Sequence, residues 1–223
     1  MIIIDCGMSW KYLCGQFAKH QIDYKTADAL FITHLHGDHC AQIKKFGFLP
    51  KYVTFEMADA GQLDFYQPLK IKDLVITPLP LSHDSPGTAG YLISRGKEKL
   101  VYITDTGYLS ERNRSLLKNA DYYIIESNHD EVMLLSTNRP NMLKRRIILD
   151  DGHLSNGACA IILTELIGPK TKEIVLAHLS QEANKPELAL AKLQEIFQEN
   201  GIAYSDLRIQ VASQTDSIKG GNL

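Results

Sequence analysis

The stretch Ala29-Leu-Phe-Ile-Thr-His34-Leu-His36-Gly-Asp38-His39-Cys40 limits this chain more than any other. It opens as a short apolar run, the pattern of a buried strand. It then places three histidines and an aspartate within six residues, with Gly37 among them to permit a tight turn. Imidazole and carboxylate are the donors that a borderline metal such as zinc takes up. Packing does not call for four such groups crowded at the end of a strand. Residues so close together cannot all serve one tetrahedral ion without strain. His34 and His36 can lean toward one ion while Asp38 and His39, farther round the turn, face a second. A two-metal reading needs further donors from elsewhere in the chain.

The 223 residues suffice for one large domain, and residues 1–223 are read as a single domain. With 22% charged residues and a net charge of −2, no global basic field advertises nucleic acid, although a local basic patch would suffice to bind it. Four scattered cysteines without a CxxC pair fit a reducing cytoplasm better than a disulfide framework. Neither a signal peptide nor an apolar span near 20 residues is present, so export and membrane insertion are not indicated.

Along the chain, Met1–Cys6 reads as a strand and Ser9–His20 as an amphipathic helix. Cys40–Phe46 predicts a helix that Gly47 ends. Tyr52–Met57 and Leu69–Leu81 read as β-rich, with Pro78 and Pro80 marking an interruption. Thr88–Ser94 and Leu100–Thr104 form a hairpin pattern joined through Arg95-Gly96-Lys97. Ser155 is expected to cap a helix through Ala158–Leu166, and Asn184 a helix over Pro186–Glu199. Glu173–Ala177 and Ile209–Ala212 complete the strands, and the tail Lys219–Leu223 is expected to fray. The alternation predicts an α/β fold.

Three more apolar runs end in an isolated metal-capable residue: Leu79–Leu81 before His83, Leu100–Ile103 before Asp105, and Ile174–Ala177 before His178. Any one alone fits a buried, hydrogen-bonded core residue or a turn. Together they supply a bridging carboxylate and one histidine per ion, which the first loop lacks.

The series His34-x-His36-x-Asp38-His39, His83, Asp105 and His178 resembles the metallo-β-lactamase fold superfamily, whose architecture is a four-layer αββα sandwich. By that resemblance His34, His36 and His83 bind one ion, Asp38, His39 and His178 the other, and Asp105 bridges them. Asp5 matches the acidic residue that supports the site from behind the ligands. The segments Ser82-His83-Asp84, Thr104-Asp105-Thr106-Gly107-Tyr108, Glu126-Ser127-Asn128-His129-Asp130, Gly152-His153-Leu154-Ser155-Asn156 and His178-Leu179-Ser180 with Asn184-x-Pro186 are similar to the WalJ (YycJ-like) branch. That branch implies a cytoplasmic exonuclease acting on DNA. Its members usually carry a strand and a Ser/Gly-rich turn ahead of the position of Met1. Either the start is shorter in this chain or a partner compensates for the missing strand; the second alternative makes a homodimer through the exposed edge the expectation to test.

Two divalent ions about 3.5–4 Å apart share a water, lower its pKa toward neutrality and so supply a bridging hydroxide as nucleophile. Zinc and manganese both suit the donor set. The expected function is therefore a dinuclear metal-dependent hydrolase, a phosphodiesterase or nuclease. The alternatives are an enzyme for a small or cyclic phosphodiester, a thioester or lactone hydrolase, and a metal-binding module without turnover. His153, which precedes a helix start, reads either as proton donor to the leaving oxygen or as a capping-loop histidine. His129 is open between substrate contact and structure, and Ser155 joins it as a substrate-side candidate at a helix start whose N–H groups suit phosphate. The basic run Arg139, Lys144, Arg145 and Arg146 reads as a solvated face or a backbone-binding patch.

Overall fold

A computed structural model describes residues 1–213 and 215–221. The chain divides into two compact units, residues 1–80 with 85–89 and residues 81–84 with 90–223.

In the first unit, β1 (Ile2–Ile4) is followed by α1 (Trp10–Lys19), whose N-terminus is capped by the Ser9 hydroxyl accepting from the Tyr12 N–H. Next come β2 (Ala29–Phe31) and the short α2 (Gly37–Cys40), then β3 (Lys51–Val53) and β4 (Gly61–Gln62). These four strands form one parallel sheet in the order β1-β2-β3-β4. Its β2 is buried along its whole length, as an apolar run without alternation requires. The core holds Leu30, Ile32, Phe46 and Val53, with Trp10, Leu13 and Phe17 of α1 packed against it. Trp10 meets Tyr24 and Phe46 edge-on, each at 5.5 Å between ring centres. A hairpin of β5 (Leu69–Ile71) and β6 (Leu74–Pro80) completes this unit.

In the second unit, β7 (Ala89–Arg95, entering the unit at Gly90) and β8 (Glu98–Ile103) are antiparallel. The pairing of Arg95 with Glu98 confines the turn to Gly96-Lys97. α3 (Glu111–Leu117) leads to β9 (Tyr122–Glu126), then α4 (Glu131–Ser136), α5 (Asn141–Ile148) and α6 (Asn156–Leu166). β10 (Glu173–Ala177), α7 (Pro186–Glu199) and β11 (Arg208–Val211) follow. Strands β8, β9, β10 and β11 pair in parallel, each joined to the next through helix. α6 packs on α7 and α3, and α7 reaches β11.

Four expectations change in detail. The helix expected over Cys40–Phe46 divides into α2, which starts at Gly37, and a 3-10 turn at Ile43–Phe46. The Gln42 N–H goes to the Cys6 carbonyl, which ends the helical ladder there. Pro78 does not interrupt β6; its fixed φ suits extended backbone, and its carbonyl accepts from the Tyr66 N–H. Asn184 does not cap α7, whose cap is Lys185 without a side-chain bond, because the Asn184 amide is committed to a buried network. Lys219–Gly221 is pinned rather than frayed: Arg208 and Gln210 donate to the Lys219 carbonyl, and the Gly221 N–H donates to Glu173 Oε2. Asn222 and Leu223 lie outside the described residues.

Candidate metal centre

The first unit gathers Asp5, His34, His36, Asp38 and His39 behind β1 and β2. Asp5 leaves β1 with φ +59°, a left-handed conformation that side chains other than glycine seldom take. This turn brings its carboxylate back over the start of the histidine loop. Asp5 Oδ1 accepts from the Thr33 N–H at 2.8 Å, and Oδ2 accepts from the Thr33 hydroxyl at 2.8 Å and from His39 Nδ1 at 2.7 Å. With the Thr33 hydroxyl donating to Asp5, its oxygen accepts from His34 Nδ1 at 3.0 Å. Both imidazoles therefore carry their proton on Nδ1 and their lone pair on Nε2. The ring centres of His36 and His39 lie 4.6 and 4.2 Å from that of His34. Asp38 is 70% exposed, its Oδ2 3.7 Å from His39 Nε2. Gly7 makes this close weave possible, since a Cβ there would run into the Asp38 backbone.

The second unit gathers His83, Asp105, His153 and His178 around a residue that the sequence reading left out of the site. Glu126, the last residue of β9, is fully buried. Its Oε1 accepts from His178 Nδ1 at 2.7 Å and from His153 Nδ1 at 2.8 Å. Its Oε2 accepts from the backbone N–H groups of Thr106 and Leu154, both at 3.1 Å. Burial works against its charge, but the bonds from His153 and His178 outweigh burial and hold the carboxyl below the usual carboxylate range. His83 Nδ1 donates to the Gly152 carbonyl at 3.1 Å. Burial lowers the His83 pKa against the pull of Asp105, favouring the neutral ring that a metal requires.

Asp105 and His178 follow β8 and β10 with φ +58° and +56°, the same left-handed step taken by Asp5. Asp105 Oδ1 stands 3.7 Å from His83 Nε2 and 3.5 Å from His178 Nε2. Donor atoms of Asp105, Glu126, His153 and His178 lie within 4.8 Å of one another. A buried amide network fixes the surrounding loops. Asn184 Nδ2 donates to the Ser127 and Asn128 carbonyls and to Asn156 Oδ1, while Asn128 Nδ2 donates to the His178 carbonyl at 2.9 Å. The remaining candidates sit beside this group. Ser155 caps α6 and donates to Glu131 Oε1 at 2.9 Å, and His129 is buried. Of the basic run, Arg146 pairs with Asp84, Arg139 with Glu182, and Lys144 donates to the Leu135 carbonyl.

The donor set fits divalent metal. The Nδ1 atoms of His34, His39, His83, His153 and His178 are bonded to a hydroxyl, carboxylate or carbonyl oxygen, which directs their Nε2 atoms toward a ligand; metal-binding histidines are held in the same way. The model of the beta-lactamase superfamily domain matches residues 1–179. The chain belongs to that superfamily. Among its relatives, the exodeoxyribonuclease WalJ of Streptococcus pneumoniae is 32% identical across 94% of this chain and 83% of its own. The exodeoxyribonuclease YycJ of Bacillus anthracis is 30% identical across 92% of this chain and 84% of its own. Membership in the superfamily therefore extends to the WalJ and YycJ branch. The metallo-β-lactamase fold protein YhfI of Bacillus subtilis superposes with a TM-score of 0.66 at 20% identity, covering 95% of this chain and 83% of that one. That likeness shows the metallo-β-lactamase fold. Among the described residues no helix is long and apolar enough to cross a membrane.

Proposed function

We propose that this chain is a dinuclear metal-dependent phosphodiesterase that degrades nucleic acid, with DNA exonuclease activity as its first function. The carrying observation is that His39 and the pair His153 and His178 are held at Nδ1 by two carboxylates, partly buried Asp5 and fully buried Glu126, in a chain 30–32% identical to two exodeoxyribonucleases. The reading takes residues 1–223 as one catalytic domain in a cytoplasmic protein, the compartment that its four free cysteines fit. His34, His36 and His83 hold one ion, Asp38, His39 and His178 the other, and Asp105 serves both. Zinc or manganese would suit these donors and would supply Lewis acidity and a water of lowered pKa.

The chain's own residues do the rest. Asp5 keeps His39 in one tautomer and one orientation, and Glu126 does the same for His178. Glu126 also accepts a hydrogen bond from His153 Nδ1, which orients the ring so that Nε2 can donate a proton to the departing oxygen.

The test is a time course on 5′-labelled duplex DNA with added manganese or zinc, run beside hydrolysis of bis(p-nitrophenyl) phosphate. Progressive loss of DNA is expected, with Asp38→Ala reducing both activities to background and EDTA doing the same. Intact DNA with Asp38-dependent cleavage of the small diester would replace the nuclease by an enzyme for small phosphodiesters.

A further inference from the structure

Beside His153 the second unit holds a cavity of about 350 Å³ whose other walls have no part in the proposed reaction. Its walls include His129, Glu131, Leu135, Ile148 and Ser155 along with His153. The size falls within the range of small-ligand pockets, which combine apolar walls with a few placed polar groups. Leu135 and Ile148 come from α4 and α5, and both are large apolar side chains left mostly exposed, at 62% and 52%. His129 is only 2% exposed, and its Nδ1 has no hydrogen-bond partner among the described residues.

The lining chemistry selects the occupant. No lysine or arginine lines the cavity, and Glu131 brings a carboxylate into it. A second phosphate would be repelled there. Burial lowers the His129 pKa against the pull of Glu126, which keeps the ring neutral near pH 7. A neutral imidazole, a serine hydroxyl already donating to Glu131, and two aliphatic walls suit a flat uncharged ring that carries its own donors and acceptors. We propose that this cavity binds the nucleobase of the nucleotide next to the scissile phosphate, with Leu135 and Ile148 against its faces and His129, Glu131 and Ser155 toward its polar edge. The inference rests on the nuclease reading and names the part of the substrate that is recognised beside the reaction centre.

The experiment is calorimetric titration of the full zinc-loaded chain with 2′-deoxyadenosine 5′-monophosphate and, separately, with 2-deoxyribose 5-phosphate, which lacks the base. The nucleotide is expected to bind at least about tenfold more tightly, the usual weight of one well-placed group. Leu135→Trp and Ile148→Trp, both at exposed positions that tolerate a larger ring, should bring that ratio to within about twofold. Equal affinity for the two ligands in the wild type overturns the pocket, as does a ratio that neither variant changes. The two readings fail separately. A base-dependent ratio in a protein that cleaves neither DNA nor bis(p-nitrophenyl) phosphate keeps the pocket and removes the nuclease. Degradation of DNA with no base-dependent ratio removes the pocket alone.

Discussion

The two units hold their candidate ligands with different economies of chain. In the first unit, four of the five ionisable groups lie within six consecutive residues, and Asp5 anchors one histidine, His39. In the second, four strand ends and loops distant in sequence contribute His83, Asp105, His153 and His178, and a single carboxylate anchors two histidines. Asp5 is near the surface at 10% side-chain exposure, whereas Glu126 is at 0%. A contiguous loop needs little outside help to hold its shape. An assembled group depends on a hub, and a fully buried hub has no solvent to replace a lost partner.

That contrast orders the consequences of substitution. Glu126→Gln should be the most damaging change behind the ligands. Loss of one such partner costs about 10- to 100-fold, so the loss of two should lower kcat/KM for bis(p-nitrophenyl) phosphate by about 100- to 10,000-fold. Asp5→Asn disturbs one histidine and should lower kcat/KM and metal affinity by about 10- to 100-fold, read by kinetics and by metal content after dialysis. Equal losses in the two variants would erase the distinction between hub and loop.

Acid sharpens the comparison. Because the folded carboxyl of Glu126 is held below its ordinary 4.5, the unfolded chain takes up the proton first as pH falls. Its stabilisation is therefore present above about pH 4.5 and lost as pH drops through the folded pKa. Urea midpoints of wild type and Glu126→Gln should differ at pH 7, begin to approach each other only below about pH 4.5, and meet as pH drops through the folded pKa. A pH-independent gap would assign the effect to shape alone. The smallest change is Thr33→Val, which removes one hydroxyl bonded to Asp5 and to His34. It should cost about 1 kcal/mol of stability by urea melts.

The same contrast explains what the sequence made visible. His34 to His39 stand out because a dense polar cluster breaks a buried strand, and no tertiary information is needed to see it. His83, Asp105 and His178 were found by one rule: an apolar run that ends in a single metal-capable residue. Glu126 obeys that rule as well, ending the run Tyr122–Ile125, yet a glutamate outside the ligand pattern of the resembled family gave no reason to count it. Its role appears only when β9 and β10 lie side by side, pairing Glu126 with Ala177, the residue before His178. Asn184 departs from its local signature for a related reason. An asparagine two residues before a helix proline has the local signature of a cap, while its network is made with residues 28 and 57 positions away. Local chemistry was legible, and partners supplied by the fold were not. The division of Cys40–Phe46 has the same origin, since the carbonyl that diverts Gln42 belongs to Cys6.

The sharing of Glu126 between His153 and His178 also bears on how such a chain can change over generations. A substitution at that carboxylate alters the proposed proton donor and the proposed metal ligand in one step, so neither role can drift through it alone. His129 has no bond to that hub and lines a cavity with partly exposed walls, where variation carries no such double penalty. Diversification of this fold therefore has a narrow passage at its centre and an open one beside it.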